Sequence, residues 1–132
     1  MGNTIFTWNS KKQPIVTLSS YEAEYVATTS CACHDLWLRK ILKNLQLSQK
    51  EAAEIFVDNK LALALAKNLL FHGRSKYIDT RYHFLRECTM NKEVKLKFVK
   101  SQDQIADIFT KPLKGDVFQK LRALLGVTKS QV

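Results

Sequence analysis

An apolar run that leads straight into a helical pattern is the sequence feature that most constrains the fold. Residues Ala53–Val57 are mostly apolar and end at Asp58, and helical spacing follows from Leu61 to Lys67. A strand that feeds directly into a helix is the building unit of a parallel α/β sheet. The chain has 132 residues, a length that suits one domain with a single core. We therefore predict one α/β domain over residues 1–132.

Propensity and spacing predict the elements on either side of this unit. β-branched and aromatic residues at Thr4–Trp8 and Ile15–Leu18 predict a hairpin. Ser19 followed by Glu22 fits a capping box, so we expect a long helix from there to about Leu47. The other predicted elements are a helix at Ile78–Asn91, a strand at Val94–Phe98, a helix at Gln102–Lys111 and a last helix at Asp116–Leu125, ended by Gly126.

Three acids occupy positions where ordinary packing does not favour a charge. The long predicted helix has an apolar stripe at heptad spacing, which consists of Glu24, Cys31, Leu38 and Leu45, joined by Ala27, Ile41 and Leu42. Within that stripe, Glu24 is a carboxylate. Asp58 lies at the carboxyl end of a predicted strand, where open α/β sheets bind ligands, and Asp107 lies among apolar residues. Clustered carboxylates repel one another unless a cation intervenes, so one interpretation is a nuclease-type site for two Mg²⁺ ions.

Each of these acids also has an ordinary structural explanation. Asp58 or Asn59 could cap the helix that follows. Glu24 could lie in the first turns of its helix to favour the helix dipole. Asp107 could face solvent if its helix is rotated. Spacing alone leaves the structural explanation and the metal site both open.

The formal net charge of +9 predicts a polyanionic partner, with nucleic acid before an acidic membrane. The excess is concentrated in eight cations, which are Arg74, Lys76, Arg81, Arg86, Lys92, Lys95, Lys97 and Lys100. Basic residues beside a carboxylate site could bind phosphates, mainly through the backbone and the shape of a duplex. The alternative is a solvated charged face. Trp8 could add stacking, although a tryptophan in a strand is more often part of the core.

The cysteines and the hydropathy pattern predict the setting of the protein. An odd count of three cysteines without a signal peptide favours an intracellular site, cytoplasmic or nuclear. Cys31 and Cys33 are too closely spaced for an ordinary zinc site, so we expect small buried or half-buried thiols. No apolar run approaches the roughly 20 residues that span a bilayer, so no membrane partner is expected.

Six motifs together resemble the ribonuclease H region of copia-type retrotransposon polyproteins. They are Trp8–Gln13, Thr17–Tyr25, Val57–Lys60, Phe71–Lys76, Ile78–Phe84 and Gln104–Leu113. The resemblance implies a ribonuclease H-like mixed sheet with flanking helices, and a Mg²⁺-dependent hydrolysis of the RNA strand in RNA/DNA hybrids. By alignment with the family, Glu24, Asp58 and Asp107 would be catalytic and metal-binding. Arg74, Lys76, Arg81, Lys95 and Lys97 would contact the nucleic acid.

Members of this family carry an earlier strand with an aspartate that bridges both metal ions. No acid precedes Glu22 in this chain, and its first residues align inside the family's second strand. The resemblance therefore implies a domain incomplete at its N-terminus, with impaired catalysis. It also implies an open sheet edge, where a second copy or a protein partner could add a strand. The alternative function is a non-catalytic module, adopted from a retrotransposon, that binds nucleic acid or protein.

Overall fold

The computed structural model describes residues 5, 7–14, 16–17, 19–67 and 76–128. Contacts divide the chain into two compact units. Ile15–Phe98 forms one, called here the strand unit, and Met1–Pro14 with Val99–Val132 forms the other, called here the terminal unit. Within the described ranges, none of the helices combines the length and apolar character needed to cross a membrane.

The strand unit begins with a 25-residue helix, α1, at Ser20–Asn44. The hydroxyl oxygen of Ser19 accepts a hydrogen bond from the backbone N–H of Glu22 at 3.4 Å, which confirms the predicted N-cap. The helix ends slightly before the predicted position because Gln46 adopts a left-handed conformation with φ of 63°. The N–H of Leu47 then bonds back to the carbonyl of Leu42 at 2.8 Å, and this reversal stops the helix.

The buried face of α1 differs from the predicted stripe. Its buried residues are Glu22, Tyr25, Val26, Thr28, Thr29 and Ala32. Cys31 is exposed, and Leu45 is 63% exposed. The hydroxyls of Thr28 and Thr29 donate to the carbonyl oxygens four residues earlier at 2.8 and 2.9 Å. Because these bonds satisfy the hydroxyls, threonines can occupy a face that the heptad pattern assigned to other residues.

Two parallel strands joined by two helices confirm the predicted α/β unit. The elements are β1 at Ala53–Val57, α2 at Lys60–Lys67, α3 at Lys76–Met90 and β2 at Val94–Phe98. The strands pair in parallel, from Ala53 opposite Val94 to Val57 opposite Phe98. Parallel strands need a crossover connection, and α2 and α3 lie within it. In the described part of the chain the sheet has these two strands.

The core of the strand unit is a cluster to which every one of these elements contributes. Its buried members are Tyr25, Ala32, Ile55, Val57, Ala62, Ala66, Leu85, Cys88, Val94 and Leu96. Strand β2 buries Val94 and Leu96, while Lys95 and Phe98 are exposed. The burial of these apolar side chains is the main force that holds the helices against the two-stranded sheet.

The terminal unit contains two short 3₁₀ helices and one α-helix. The 3₁₀ helices cover Ser101–Asp103 and Ile105–Phe109, and α4 covers Gly115–Leu124. The single helix predicted over Gln102–Lys111 is therefore wrong. Gln104 interrupts it with an extended backbone, at φ −73° and ψ 103°, and its side chain is 8% exposed. The last helix is confirmed within one residue at each end, and Gly126 follows it at φ 74°.

The predicted hairpin is absent from the part of the chain that the structure describes. Residues 7–14 and 16–17 lie in neither helix nor strand, and Thr4, Phe6, Ile15 and Leu18 are outside the described residues. The ring of Trp8 instead stacks on Phe109, with centroids 5.9 Å apart, and Trp8 is 64% exposed rather than in the core. The hydroxyl of Ser10 donates to the carbonyl oxygen of Phe109 at 3.0 Å. A two-stranded hairpin alone is marginal in water, so such contacts can replace it.

Candidate functional site

Glu24 lies near the start of α1 and is half-buried. The structure places a different carboxylate deepest in this helix, because Glu22 is only 2% exposed. The capping-box spacing predicts Glu22 as a capping residue and does not indicate its burial. The spacing from Glu22 to Tyr25, Thr29 and Ala32 follows one helical face, and that periodicity is the signal that could have identified it.

Asp58 directly follows the carboxyl end of β1 and is half-buried. Its neighbour Asn59, and not Asp58, caps the helix that follows. The side-chain oxygen of Asn59 accepts hydrogen bonds from the backbone N–H groups of Leu61 at 2.9 Å and Ala62 at 3.2 Å. Among the residues that the structure describes, no hydrogen bond or ion pair engages the Asp58 carboxylate. Asp58 is therefore a carboxylate at a ligand-binding position in the fold that helix capping does not explain.

Glu24 and Asp58 flank the same core. Tyr25, directly after Glu24, and Val57, directly before Asp58, belong to one buried cluster. The hydroxyl of Tyr25 donates to the carbonyl oxygen of Tyr82 at 3.2 Å, which fixes this part of α1 against α3. Burial, together with the neighbouring Tyr82, raises the pKa of Tyr25 well above its ordinary value, so the phenol stays neutral.

Asp107 belongs to the terminal unit and lies in the second 3₁₀ helix. Its side chain is 14% exposed, so the alternative in which it faces solvent is wrong. The ammonium nitrogen of Lys111 lies 3.0 Å from one carboxylate oxygen and 3.1 Å from the other. A cation that binds Asp107 must therefore compete with Lys111. Convergence of Glu24, Asp58 and Asp107 in one cleft stays a prediction.

The donor chemistry of the three acids fits Mg²⁺, because this ion prefers carboxylate oxygens and retains several waters. Within the described part of each unit, no three His, Cys, Asp or Glu side chains form a group that could hold a metal ion. Cys31 and Cys33 are free, exposed thiols, so their expected burial is wrong, and the zinc interpretation gains no support.

The predicted phosphate-binding residues differ in the partners that their charged groups contact. Arg74 and the side chain of Lys76 lie outside the described residues. The guanidinium of Arg81 donates to the hydroxyl oxygen of Ser30 at 3.4 Å. Lys95 is exposed, and Lys97 forms an ion pair with Glu54 on the neighbouring strand. The hydrogen bond from Lys97, with the charges of Lys97 and Lys95, lowers the pKa of Glu54.

Comparison with known proteins finds relatives over nearly the whole chain. The chain is 36% identical over 121 residues, 92% of its length, to the "Retrovirus-related Pol polyprotein from transposon TNT 1-94" of Nicotiana tabacum. It is 35% identical over 129 residues, 98% of its length, to the corresponding polyproteins from transposons RE1 and RE2 of Arabidopsis thaliana. Its relatives are retrovirus-related Pol polyproteins of plant transposons.

The chain spans 9% of the length of each of these polyproteins, so the similarity concerns one segment of a much longer protein. The expected relationship to a transposon polyprotein is confirmed by these identities. No protein-family model matches the chain. No solved structure matches it either.

Proposed function

We propose that this chain is a retrotransposon-derived domain of the ribonuclease H type. In this proposal the domain binds Mg²⁺ through Glu24, Asp58 and Asp107 and acts on the RNA strand of an RNA/DNA hybrid. The observation that carries the proposal is the position of Asp58 at the carboxyl end of β1, where open α/β sheets bind ligands. Tyr25, next to Glu24, and Val57, next to Asp58, share one core cluster. Similarity to retrovirus-related Pol polyproteins supports the proposal, because the six motifs resemble a region of such a polyprotein.

Each part of the proposed site has a defined task. A bound pair of Mg²⁺ ions would activate a water molecule and stabilise the leaving oxygen. The carboxylates hold and orient the ions. Arg81, Lys95 and Lys97, with Arg74 and Lys76, attract the phosphates of the hybrid. Contacts of this kind position a duplex by its backbone and do not read its bases.

We propose that the domain cleaves hybrids weakly, because Lys111 contacts both oxygens of the Asp107 carboxylate. A metal ion at Asp107 would compete with this ammonium group.

The second candidate function is a non-catalytic module that binds nucleic acid or protein. The pairing of Asp107 with Lys111 favours it, since that carboxylate already has a cationic partner. The sheet offers a place for a protein partner. In the described residues β1 and β2 pair with one another, so each has an outer edge that can accept a further strand. We propose that a strand of a second copy or of a protein partner adds to one of these edges.

A hybrid cleavage assay tests the catalytic proposal. A labelled RNA/DNA hybrid is incubated with the protein and Mg²⁺, and with an intact ribonuclease H for comparison. We expect slow cleavage of the RNA strand that disappears in Asp58→Asn and persists in Asp116→Asn, an exposed aspartate at the start of α4. Cleavage that survives Asp58→Asn would contradict the proposed site. Hybrid binding without any Mg²⁺-dependent cleavage would support the non-catalytic module instead.

A further inference from the structure

A cavity of about 420 Å³ lies in the strand unit at the end opposite Asp58. Its lining residues come from the last turns of α1, from the segment before β1 and from the turn between α3 and β2. The cavity therefore borders the amino ends of both strands, whereas Asp58 follows the carboxyl end of β1. Its size falls within the range of roughly 300–1,000 Å³ that is typical of ligand pockets. It is separate from the proposed metal site.

The charge of this cavity is predominantly positive. Five cations line it, Arg39, Lys40, Lys43, Lys50 and Lys92, together with the carboxylates of Glu51 and Glu93. Arg39 is paired with Asp35 on its own helix at 2.8 Å. The four lysines are exposed, and among the described residues none of them forms an ion pair with the two carboxylates. Unpaired ammonium groups around a concave surface attract phosphates and other anions.

An exposed aromatic residue lies beside this cavity. Trp37 is 57% exposed, and its ring centroid lies 5.8 Å from that of His34. Trp37 is three residues before Lys40 on α1, so the two side chains are neighbours on the helix surface. Proteins that bind single-stranded nucleic acid combine a basic groove for the phosphates with exposed aromatic rings on which bases stack. The cavity supplies the basic surface, and Trp37, next to Lys40 on α1, supplies the exposed ring.

We propose that this cavity binds phosphates of single-stranded nucleic acid while a neighbouring base stacks on Trp37. The site is a second nucleic-acid contact, distinct from the carboxylates and from the cations around β2. It does not depend on Mg²⁺ or on cleavage. The competing explanation is that the lysines only stabilise the carboxyl ends of α1 and α3, where the helix dipoles favour positive charge.

Binding of a labelled single-stranded oligonucleotide, followed by fluorescence anisotropy over a series of salt concentrations without Mg²⁺, tests the proposal. The double variant Lys40→Gln, Lys50→Gln removes two cavity charges. Its matched control, Lys12→Gln, Lys114→Gln, removes two exposed charges of the terminal unit. We expect the log–log salt slope of the cavity variant to fall by about 1.4, from two lost phosphate contacts. The slope of the control should stay unchanged.

The tryptophan variants test the stacking contact separately. Trp37→Ala should weaken binding roughly five- to hundredfold with an unchanged salt slope, because it removes a stacked base but no charge. Trp37→Phe should retain most of the affinity. Equal behaviour of the cavity variant and its control would overturn the proposal. So would a loss of thermal stability without a loss of binding, since the lysines would then serve only the helix ends.

Titration with inorganic phosphate separates nucleic acid from a small anion. One outcome is that phosphate shifts the amide resonances around the cavity while substitutions at Lys40, Lys50 and Trp37 leave oligonucleotide affinity unchanged. In that case the cavity is a small-anion site and the proposal is wrong. Glu24 and Asp58 stay intact in every variant, and the assay contains no Mg²⁺. A negative result in the oligonucleotide binding assay therefore does not contradict the hybrid cleavage proposal. Loss of cleavage in Asp58→Asn likewise does not contradict the proposed cavity site.

Discussion

Replacing Asn59 with alanine separates helix capping from the chemistry proposed for Asp58. The side-chain oxygen of Asn59 accepts two hydrogen bonds, from the N–H groups of Leu61 at 2.9 Å and Ala62 at 3.2 Å. Alanine removes both acceptor contacts and leaves these groups to water. Loss of such a cap costs about 1 kcal/mol of the free energy of unfolding. In a chain of this size, that loss lowers the melting temperature by roughly 4 °C.

Asp58→Asn is the matched substitution one residue away. No described residue forms a hydrogen bond or ion pair with this carboxylate, so removing its charge should change the free energy of unfolding by less than about 0.5 kcal/mol. Its effect should appear only with Mg²⁺. An ion that binds the folded state raises the melting temperature by mass action. We expect this increment in the unmodified protein and in Asn59→Ala, but not in Asp58→Asn.

Thermal denaturation followed by circular dichroism, with and without Mg²⁺, measures both effects in one experiment. The reasoning fails if Asp58→Asn destabilises the metal-free protein as much as Asn59→Ala does, because Asp58 would then be the structural residue. It also fails if Asp58→Asn keeps the full Mg²⁺ increment. A melting temperature of Asn59→Ala equal to that of the unmodified protein would show that the cap contributes nothing.

Three further predictions follow from burial and charge. Leu85→Ala, at a residue with 0% exposure, should cost about 2–5 kcal/mol in urea denaturation, while Leu61→Ala, at 63% exposure, should stay within about 0.5 kcal/mol. Burial, helped by Glu93, raises the pKa of Cys88 from 9.0 to about 11. Its contribution to the free energy of unfolding is thus present below pH 9 and is lost as the pH rises towards 11, and Cys88→Ala should flatten that loss in urea titrations. Lys111→Gln frees both oxygens of Asp107, so Mg²⁺ affinity measured by calorimetry should rise, and an unchanged affinity would exclude Asp107 as a ligand.

The elements that sequence reasoning located correctly are those with strong local signals. Strand β1 matches its prediction residue for residue, because a short apolar run ended by Asp58 and Asn59 has few alternatives. Helix α4 ends at a glycine with positive φ, which local sequence also indicates. The hairpin does not form among the described residues, because β-propensity depends on what a strand packs against. The ring of Trp8 stacks on Phe109, about a hundred residues away, and no local sequence pattern indicates that contact.

The candidate site shows the same division between local and long-range information. Pairing of Lys111 with Asp107 was readable from their i,i+4 spacing. The buried face of α1 was not, because the burial of Thr28 and Thr29 depends on hydroxyl bonds to backbone carbonyls that a polarity pattern ignores. The basic cavity joins Lys43 to Lys92 across 49 positions of the sequence, and such pairings arise only from the packing of helices against the sheet.

The most direct test of the central claim is a Mn²⁺ titration followed by amide NMR. Mn²⁺ takes oxygen ligands as Mg²⁺ does, and its paramagnetism broadens the resonances of nearby residues. The account predicts that resonances around Glu24, Asp58 and Asp107 broaden together at the same low Mn²⁺ concentration, and that Asp58→Asn abolishes all three effects. Broadening confined to one of these segments, or concentrated elsewhere in the chain, would contradict a shared metal site.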